Sequence, residues 1–436
     1  MTPVEIGAFS VLAIVILIYL GVYIPVALGL VSFVSIWLIS GKSILAFNFL
    51  KIAVSDGVTE YAFATIPLFT VMGLLVSRAG LGTDIYTVLN RVFIRITGGI
   101  GMATVGANAV FAAVTGSSIA SASVFTRIAV PEMRKLNYNK RFAVGVVAGS
   151  SVLGMIIPPS AMLIIYSFVS EQSVGDMFLA GIVPGLILTA AYIVWIFAAS
   201  RVQPTYLGSN LHTLESRPLS FIEILDKTVP IVVLISIVLG GIYTGWLTPV
   251  EAGAAGALAA LIIALLRRAI TWRGLWETAL ETGHITAAIL FLIAMASLYS
   301  RMLGYAGLPN ALDDALQTYD FGFVEVMTIY VLLMLFLGTI LDTASIILIV
   351  VPLFITLVES MGMSLVWFGI ITVIGAEIGL LTPPLGISCF VIKTSLNDPD
   401  ISLKDVFLGA LPFAGIMLLV LILLIKFPAL SIGILG

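Results

Sequence analysis

The chain has 436 residues, of which 60% are hydrophobic and only 10% charged, with 20 Lys and Arg against 23 Asp and Glu. About a quarter of the residues of a soluble protein are charged, so lipid is the expected solvent for much of this surface, and a soluble enzyme or a disordered scaffold is excluded. A net charge of −3 without a basic tract excludes a nucleic-acid binder, and one cysteine (Cys389) with two histidines (His212 and His284) leaves no thiol or imidazole set for a metal centre.

A spanning helix needs about 20 mostly apolar residues. In chain order the candidates are 4–21, 23–40, 58–78, 142–169, 178–200, 228–246, 248–266, 280–300, 366–392 and 406–428. The first residues lack a basic region and a small-residue cleavage site, so a cleaved signal peptide is not expected. The longest polar stretch, 201–227, reads as a linker between a first half, 1–200, and a second half, 228–436. Lys and Arg mark cytoplasmic loops, and here they gather at 78–95, 127–141, Arg201 and 267–273. With those loops inside, ten spans alternate and both chain ends lie outside; Lys42 and Lys51 run against the scheme. Trp37, Trp195, Trp246 and Trp367 fall near span ends and are expected in the interfacial belts.

Two apolar segments do not read as single spans. Segment 96–131 has basic residues at both ends, and as one helix its 36 residues would reach about 54 Å, against a hydrocarbon core of roughly 30 Å. A re-entrant hairpin from the cytoplasmic side satisfies both facts, with its midpoint in Thr115, Gly116, Ser117, Ser118, Ser121 and Ser123. Segment 321–357 is flanked by acids and has its midpoint in Gly338, Thr339, Asp342, Thr343 and Ser345; it reads as a hairpin entering from outside.

Internal similarity supports the pairing. Gly116–Ser123 aligns with Gly338–Ser345 at an offset of 222, Gly154–Pro159 with Gly379–Pro384 at 225, and Asp176–Leu179 with Asp405–Leu408 at 229. Each half then holds five spans and one hairpin, an odd number of crossings, so the halves are inverted repeats of an all-α polytopic membrane protein. That is the architecture of many secondary transporters, with substrate held at the repeat interface. Pro158-Pro159 and Pro383-Pro384 each break a span, because proline removes a backbone donor and clashes with the preceding turn. Freed carbonyls at half-helix C-termini suit Na⁺, and half-helix N-termini attract an anion.

These motifs resemble the large membrane subunit of the tripartite ATP-independent periplasmic (TRAP) transporters. The matching strings are Thr115-Gly116-Ser117-Ser118, Arg127-Ile128-Ala129-Val130-Pro131-Glu132-Met133, Lys140-Arg141-Phe142-Ala143 and Ile157-Pro158-Pro159-Ser160 in the first half. In the second they are Leu337-Gly338 with Leu341-Asp342, and Glu377-Ile378-Gly379-Leu380-Leu381-Thr382-Pro383-Pro384-Leu385-Gly386. The resemblance covers nearly the whole chain. It implies import of an organic acid on a Na⁺ gradient, an elevator movement of hairpins and broken helices against a scaffold, and location in a bacterial inner membrane. It also implies two partners: a periplasmic substrate-binding protein, and a small membrane subunit of four spans, expected here as a separate chain.

On that reading the expected Na⁺ sites are Thr115, Gly116, Ser117, Ile157 and Pro158 at the first tip-and-break, and Gly338, Thr339, Asp342, Thr382 and Pro383 at the second. Substrate is expected at Ser117, Ser118, Ser121, Asp342 and Thr343, with Arg301 offering a bidentate fork to a carboxylate. An acid inside an apolar hairpin is costly unless paired or bound to a cation, which singles out Asp342; Glu377 is expected to neutralise or brace the second break. A stand-alone Na⁺/dicarboxylate symporter is the alternative, and no catalytic residue is assigned.

Overall fold

The structure is a computed structural model that describes residues 1–202, 207, 219–384, 386–396 and 398–435. Of the expected linker, 203–206 and 208–218, His212 among them, lie outside the described residues, as does Leu385. The described residues are helical throughout, without a strand.

The first half runs α1 (Pro3–Tyr19), α2 (Ile24–Ser40), α3 (Ser43–Thr59), α4 (Thr65–Arg78), α5 (Leu81–Phe93), α6 (Gly99–Thr115), α7 (Ser118–Lys135), α8 (Lys140–Ser151), α9 (Leu153–Ile156), α10 (Ala161–Val169) and α11 (Val174–Val202). The second runs α12 (Phe221–Ile235), α13 (Pro249–Leu266), α14 (Trp272–Ala306), α15 (Leu308–Thr318), α16 (Phe323–Gly338), α17 (Thr343–Ser360), α18 (Leu365–Leu380), α19 (Ile387–Leu396) and α20 (Leu403–Lys426). Among the described residues, six helical segments are long and apolar enough to cross a bilayer, seven when the bent pair 140–156 with 161–169 is taken as one span; α1 and α2 fall just short at 17 residues each. Each segment expected to form a hairpin holds two helices that meet at the polar midpoint, α6 with α7 and α16 with α17, and α17 is itself one of the six span-length segments.

Capping sets several boundaries. Thr2 accepts from Glu5 N at 3.2 Å while Glu5 Oε2 accepts from Thr2 N at 2.9 Å, and the same reciprocal pairing starts α12 at Ser220 and Glu223, α13 at Thr248 and Glu251, and α20 at Ser402 and Asp405. The cap on Ser220 corrects the linker reading: residues 221–227 are already helix, since a capping box outweighs the two charges that follow it. Helices α3, α5 and α15 were not anticipated; they mix charged and apolar positions and fall below the hydropathy of a span.

Two groups of helices follow from the packing. Helices α2 and α3 lie along α14, and α4 packs between α13 and α14. Helices α5 to α11 and α16 to α20 form the other group, with α8 against α20 as its tightest seam. There the backbones touch: a Cβ on Gly145 would lie 2.1 Å from Gly409 O, and one on Gly409 2.0 Å from Arg141 O. Small residues permit that approach. The seam is closed at one end by Asp405, 7% exposed, held by Lys140 and Arg141 at 2.9 Å each. Trp367 departs from the interfacial expectation. Its side chain is fully buried and its indole N–H donates to Leu424 O at 2.9 Å, because α18 is enclosed by neighbouring helices on all sides. Trp37 and Trp246 are exposed as expected of belt residues.

Candidate functional site

Helix α6 ends on Gly116, whose φ of +60° an L side chain rarely adopts. Ser117 then turns extended and caps α7, its hydroxyl accepting from Ala120 N at 3.3 Å. This turn is pressed onto the first Pro-Pro break. The Gly116 carbonyl accepts from Ala161 N at 3.4 Å, and a Cβ on Gly116 would lie 2.4 Å from Pro159 O. Gly154 makes room for Ser117 in the same way, with a Cβ there 2.9 Å from the Ser117 carbonyl. On the other side of the junction α9 stops at Ile157, Pro158-Pro159 follows as a cis pair, and Ser160 caps α10 while donating to Met155 O at 2.5 Å. Thr115, Gly116, Ser117, Ile157 and Pro158 thus lie at one junction. Ser118 and Ser121 are buried behind it, and the Ser121 hydroxyl has no hydrogen-bond partner among the described residues.

The second junction is built likewise. Helix α16 ends at Gly338, and Asp342 caps α17, accepting from Ser345 N at 3.2 Å and from the Ser345 hydroxyl. Gly338 faces Gly379 of α18: a Cβ on Gly338 would come within 2.7 Å of Gly379 Cα and 2.8 Å of Ala376 O. Thr343 donates to Glu377 Oε1 at 2.7 Å across the same contact. Just beyond Gly379, Thr382 returns both its N–H, at 2.9 Å, and its hydroxyl, at 2.8 Å, to the Gly379 carbonyl, and the cis pair Pro383-Pro384 breaks the span. Gly338, Asp342, Thr343 and Glu377 are brought together at the tip, with Thr382 and Pro383 at the end of the helix they rest on. Thr339 closes the last turn of α16 through its hydroxyl, 2.8 Å from Phe336 O.

The half-helix after each break packs on the opposite hairpin. Helix α10 lies against α17 and α18, and α19 lies against α7. Among the described residues no three His, Cys, Asp or Glu side chains gather into a metal-holding group, so a cation at either junction would rest chiefly on carbonyl and hydroxyl oxygens.

Arg301 stands apart from both tips. Helix α14 continues unbroken to Ala306 and carries Arg301 toward α3, where its guanidinium meets Asp56 at 2.5 Å, and not Asp313 or Asp314. Both residues line a cavity of about 860 Å³ bounded by α3, α10, α14 and α17, with Glu60, Ser167, Glu171, Ser297, Ser300, Leu348 and Pro352 also in its wall. Among the described lining residues Arg301 is the one cationic side chain, against three carboxylates.

Residues 11–430 match the family described as tripartite ATP-independent periplasmic transporter, DctM component. The chain belongs to this family. It is 32% identical over 408 residues to the C4-dicarboxylate TRAP transporter large permease protein DctM of Pseudomonas aeruginosa, covering 93% of each chain. It is 28% identical to the sialic acid TRAP transporter large permease protein SiaM of Vibrio cholerae, again over 93% of each. Its fold is similar to the YdaH transporter of Alcanivorax borkumensis, with a TM-score of 0.64, 13% identity and 89% of each chain covered. As a DctM-family chain with six or more span-length apolar helices, it is a multi-pass inner-membrane protein.

Two features of this DctM-family chain escaped sequence reasoning. Asn108, buried in α6, donates to the Ser150 hydroxyl of α8 at 2.7 Å; an amide inside an apolar helix is the signal that marks it. Asp56 carries no comparable signal, since its partner is set by where α14 ends.

Proposed function

We propose that the chain forms the transport path for an organic acid imported in TRAP fashion, energised by Na⁺. The relatives named for C4-dicarboxylate, sialic acid and 2,3-diketo-L-gulonate transport support a carboxylate as substrate. The observation that carries the reading is the twin junction: one polar helix turn rests on a Pro-Pro break, at Gly116 with Ala161, and the other rests on the helix that runs into the second break, at Gly338 with Gly379. Each junction offers carbonyl oxygens at the end of one half-helix and backbone donors at the start of another, so each suits a cation beside an anion. Na⁺ fills the oxygens of Thr115, Gly116, Ser117, Ile157 and Pro158, and those of Gly338, Thr339, Asp342, Thr382 and Pro383. The substrate carboxylate then meets the donors of Ser117, Ser118, Ser121 and Thr343. Because both ligands order the same turns, each raises the affinity of the other by the same factor.

The loaded group of α5 to α11 and α16 to α20 slides against the α2, α3, α4, α13 and α14 group as an elevator. Arg301 draws the anion into the cavity by exchanging Asp56 for a substrate carboxylate. A periplasmic binding protein delivers the substrate, and a small membrane subunit of four spans, a separate chain, supports the scaffold. The test is uptake into proteoliposomes with the membrane potential clamped. Uptake that stops when Na⁺ is replaced by K⁺ supports the reading, and uptake that continues overturns the ion coupling. Full uptake by this chain alone would instead establish a stand-alone Na⁺/dicarboxylate symporter.

A further inference from the structure

Glu377 is fully buried in the last turn of α18, a helix enclosed along its whole length. One carboxyl oxygen, Oε1, accepts from the Thr343 hydroxyl at 2.7 Å; the other, Oε2, has no hydrogen-bond partner among the described residues. A charge left uncompensated in such a place costs several kcal/mol. The Thr343 hydroxyl is the one hydrogen-bond partner this carboxyl has among the described residues. Thr343 is the first residue of α17 and the immediate neighbour of Asp342, whose carboxylate caps that helix. Two residues further along α18, Gly379 touches Gly338 at the end of α16. The two arms of the second tip are thus attached to α18 at two points two residues apart, one a hydrogen bond and the other a contact that only glycine permits.

We propose that Glu377 is a positioning residue: through the Thr343 hydroxyl it seats the second tip on α18 and so fixes the direction of Asp342. The backbone contact at Gly338 holds the end of α16. Nothing else described here holds the start of α17 to α18 by a hydrogen bond, and an unseated Thr343 would leave Glu377 with neither oxygen satisfied.

The experiment measures how fast a thiol placed at the tip, Ile340→Cys, reacts with a soluble maleimide in the reconstituted protein; Cys389 is buried and stays in place. Removing the acceptor with Glu377→Leu, or the donor with Thr343→Val, should speed labelling about tenfold, as the loss of one buried hydrogen bond implies. Glu377→Gln and Thr343→Ser keep the bond and should stay within about twofold of the parent. The double variant Glu377→Leu with Thr343→Val should label no faster than either single variant, since both remove the same bond. Labelling unchanged by Thr343→Val overturns the proposal, as does Glu377→Gln labelling as fast as Glu377→Leu, or an additive double variant. Should Glu377→Leu not fold, Thr343→Val, which keeps the side-chain shape, carries the test. In uptake, Glu377→Leu should raise the half-saturating Na⁺ concentration, and Glu377→Gln should return it to the parent value. This last readout alone rests on the transport reading above: a parent protein indifferent to Na⁺ refutes that reading and leaves the labelling result standing.

Discussion

Replacing Gly338 by alanine isolates the contact between the second tip and the helix beneath it. A methyl group there would sit 2.7 Å from Gly379 Cα and 2.8 Å from Ala376 O, and both are backbone atoms that no rotamer change can move aside. Overpacking a rigid contact costs about 1–3 kcal/mol, and the absence of any flexible neighbour puts this case near 3. Alanine returns at most about 1 kcal/mol over glycine in a helix, which leaves a net cost of about 2 kcal/mol, or roughly a 30-fold loss of seated tip. The matched control is Gly415→Ala in α20, where a Cβ meets nothing within 4 Å and the helix gain stands alone. Initial uptake rates in proteoliposomes, with thermal unfolding in detergent as the stability reference, should show Gly338→Ala reduced about 30-fold and Gly415→Ala at or above the parent. Equal behaviour of the two variants would refute the claim that this glycine is required by backbone proximity.

Gly116→Ala should be more damaging still in the same assay, because it adds about 1–2 kcal/mol of left-handed strain to a methyl 2.4 Å from Pro159 O. Gly116→Asn, which relieves the strain but not the clash, should recover little; full recovery would assign the effect to φ alone. Asp405→Asn removes the negative charge and one of the two oxygens that Lys140 and Arg141 share, and with those cations 38% and 48% exposed the cost is discounted to about 1–2 kcal/mol, visible as a lower unfolding temperature. Arg301→Gln should hardly change thermal unfolding, since the Asp56 pair is 42% and 54% exposed. It should nevertheless lower kcat/KM for an anionic substrate on the order of tenfold by leaving three carboxylates unopposed in the cavity wall. Unchanged uptake would remove Arg301 from the entry path.

Six of the ten expected spans (142–169 as a bent pair), the polar midpoints and the Pro-Pro breaks were legible because each is a local property: run length, small polar residues in an apolar segment, and a missing backbone donor; the stretches 4–21, 23–40, 228–246 and 366–392 fall short of span length as unbroken helices. Gly116 and Gly338 were legible for the same reason, each closing a helix shortly before a cap residue, Ser117 directly after the first and Asp342 four residues after the second. What stayed hidden depends on distance in space. Arg301 was read as a fork for a substrate carboxylate at the tips, yet α14 aims it at Asp56, 245 residues away. Trp367 looked like a belt residue because hydropathy sees a span end and not the helices packed around it. The linker boundary failed at Ser220, where a capping box four residues long decided the helix start against the charge pattern.

The exchange of half-helices explains why the two junctions are not independent devices. Helix α10 begins at the first break but packs on α17, the second arm of the second hairpin, while α19 begins at the second break and packs on α7, the second arm of the first. Loosening the turn at Gly116 frees Ala161, the first residue of α10, and so disturbs the surface on which α17 rests. Loosening the second break acts in the opposite direction through α19 and α7. Close-packed interfaces of this kind transmit displacement because they have no slack to absorb it. On the proposed function, a ligand that orders one turn is expected to bias the other without touching it, and by linkage that coupling is reciprocal.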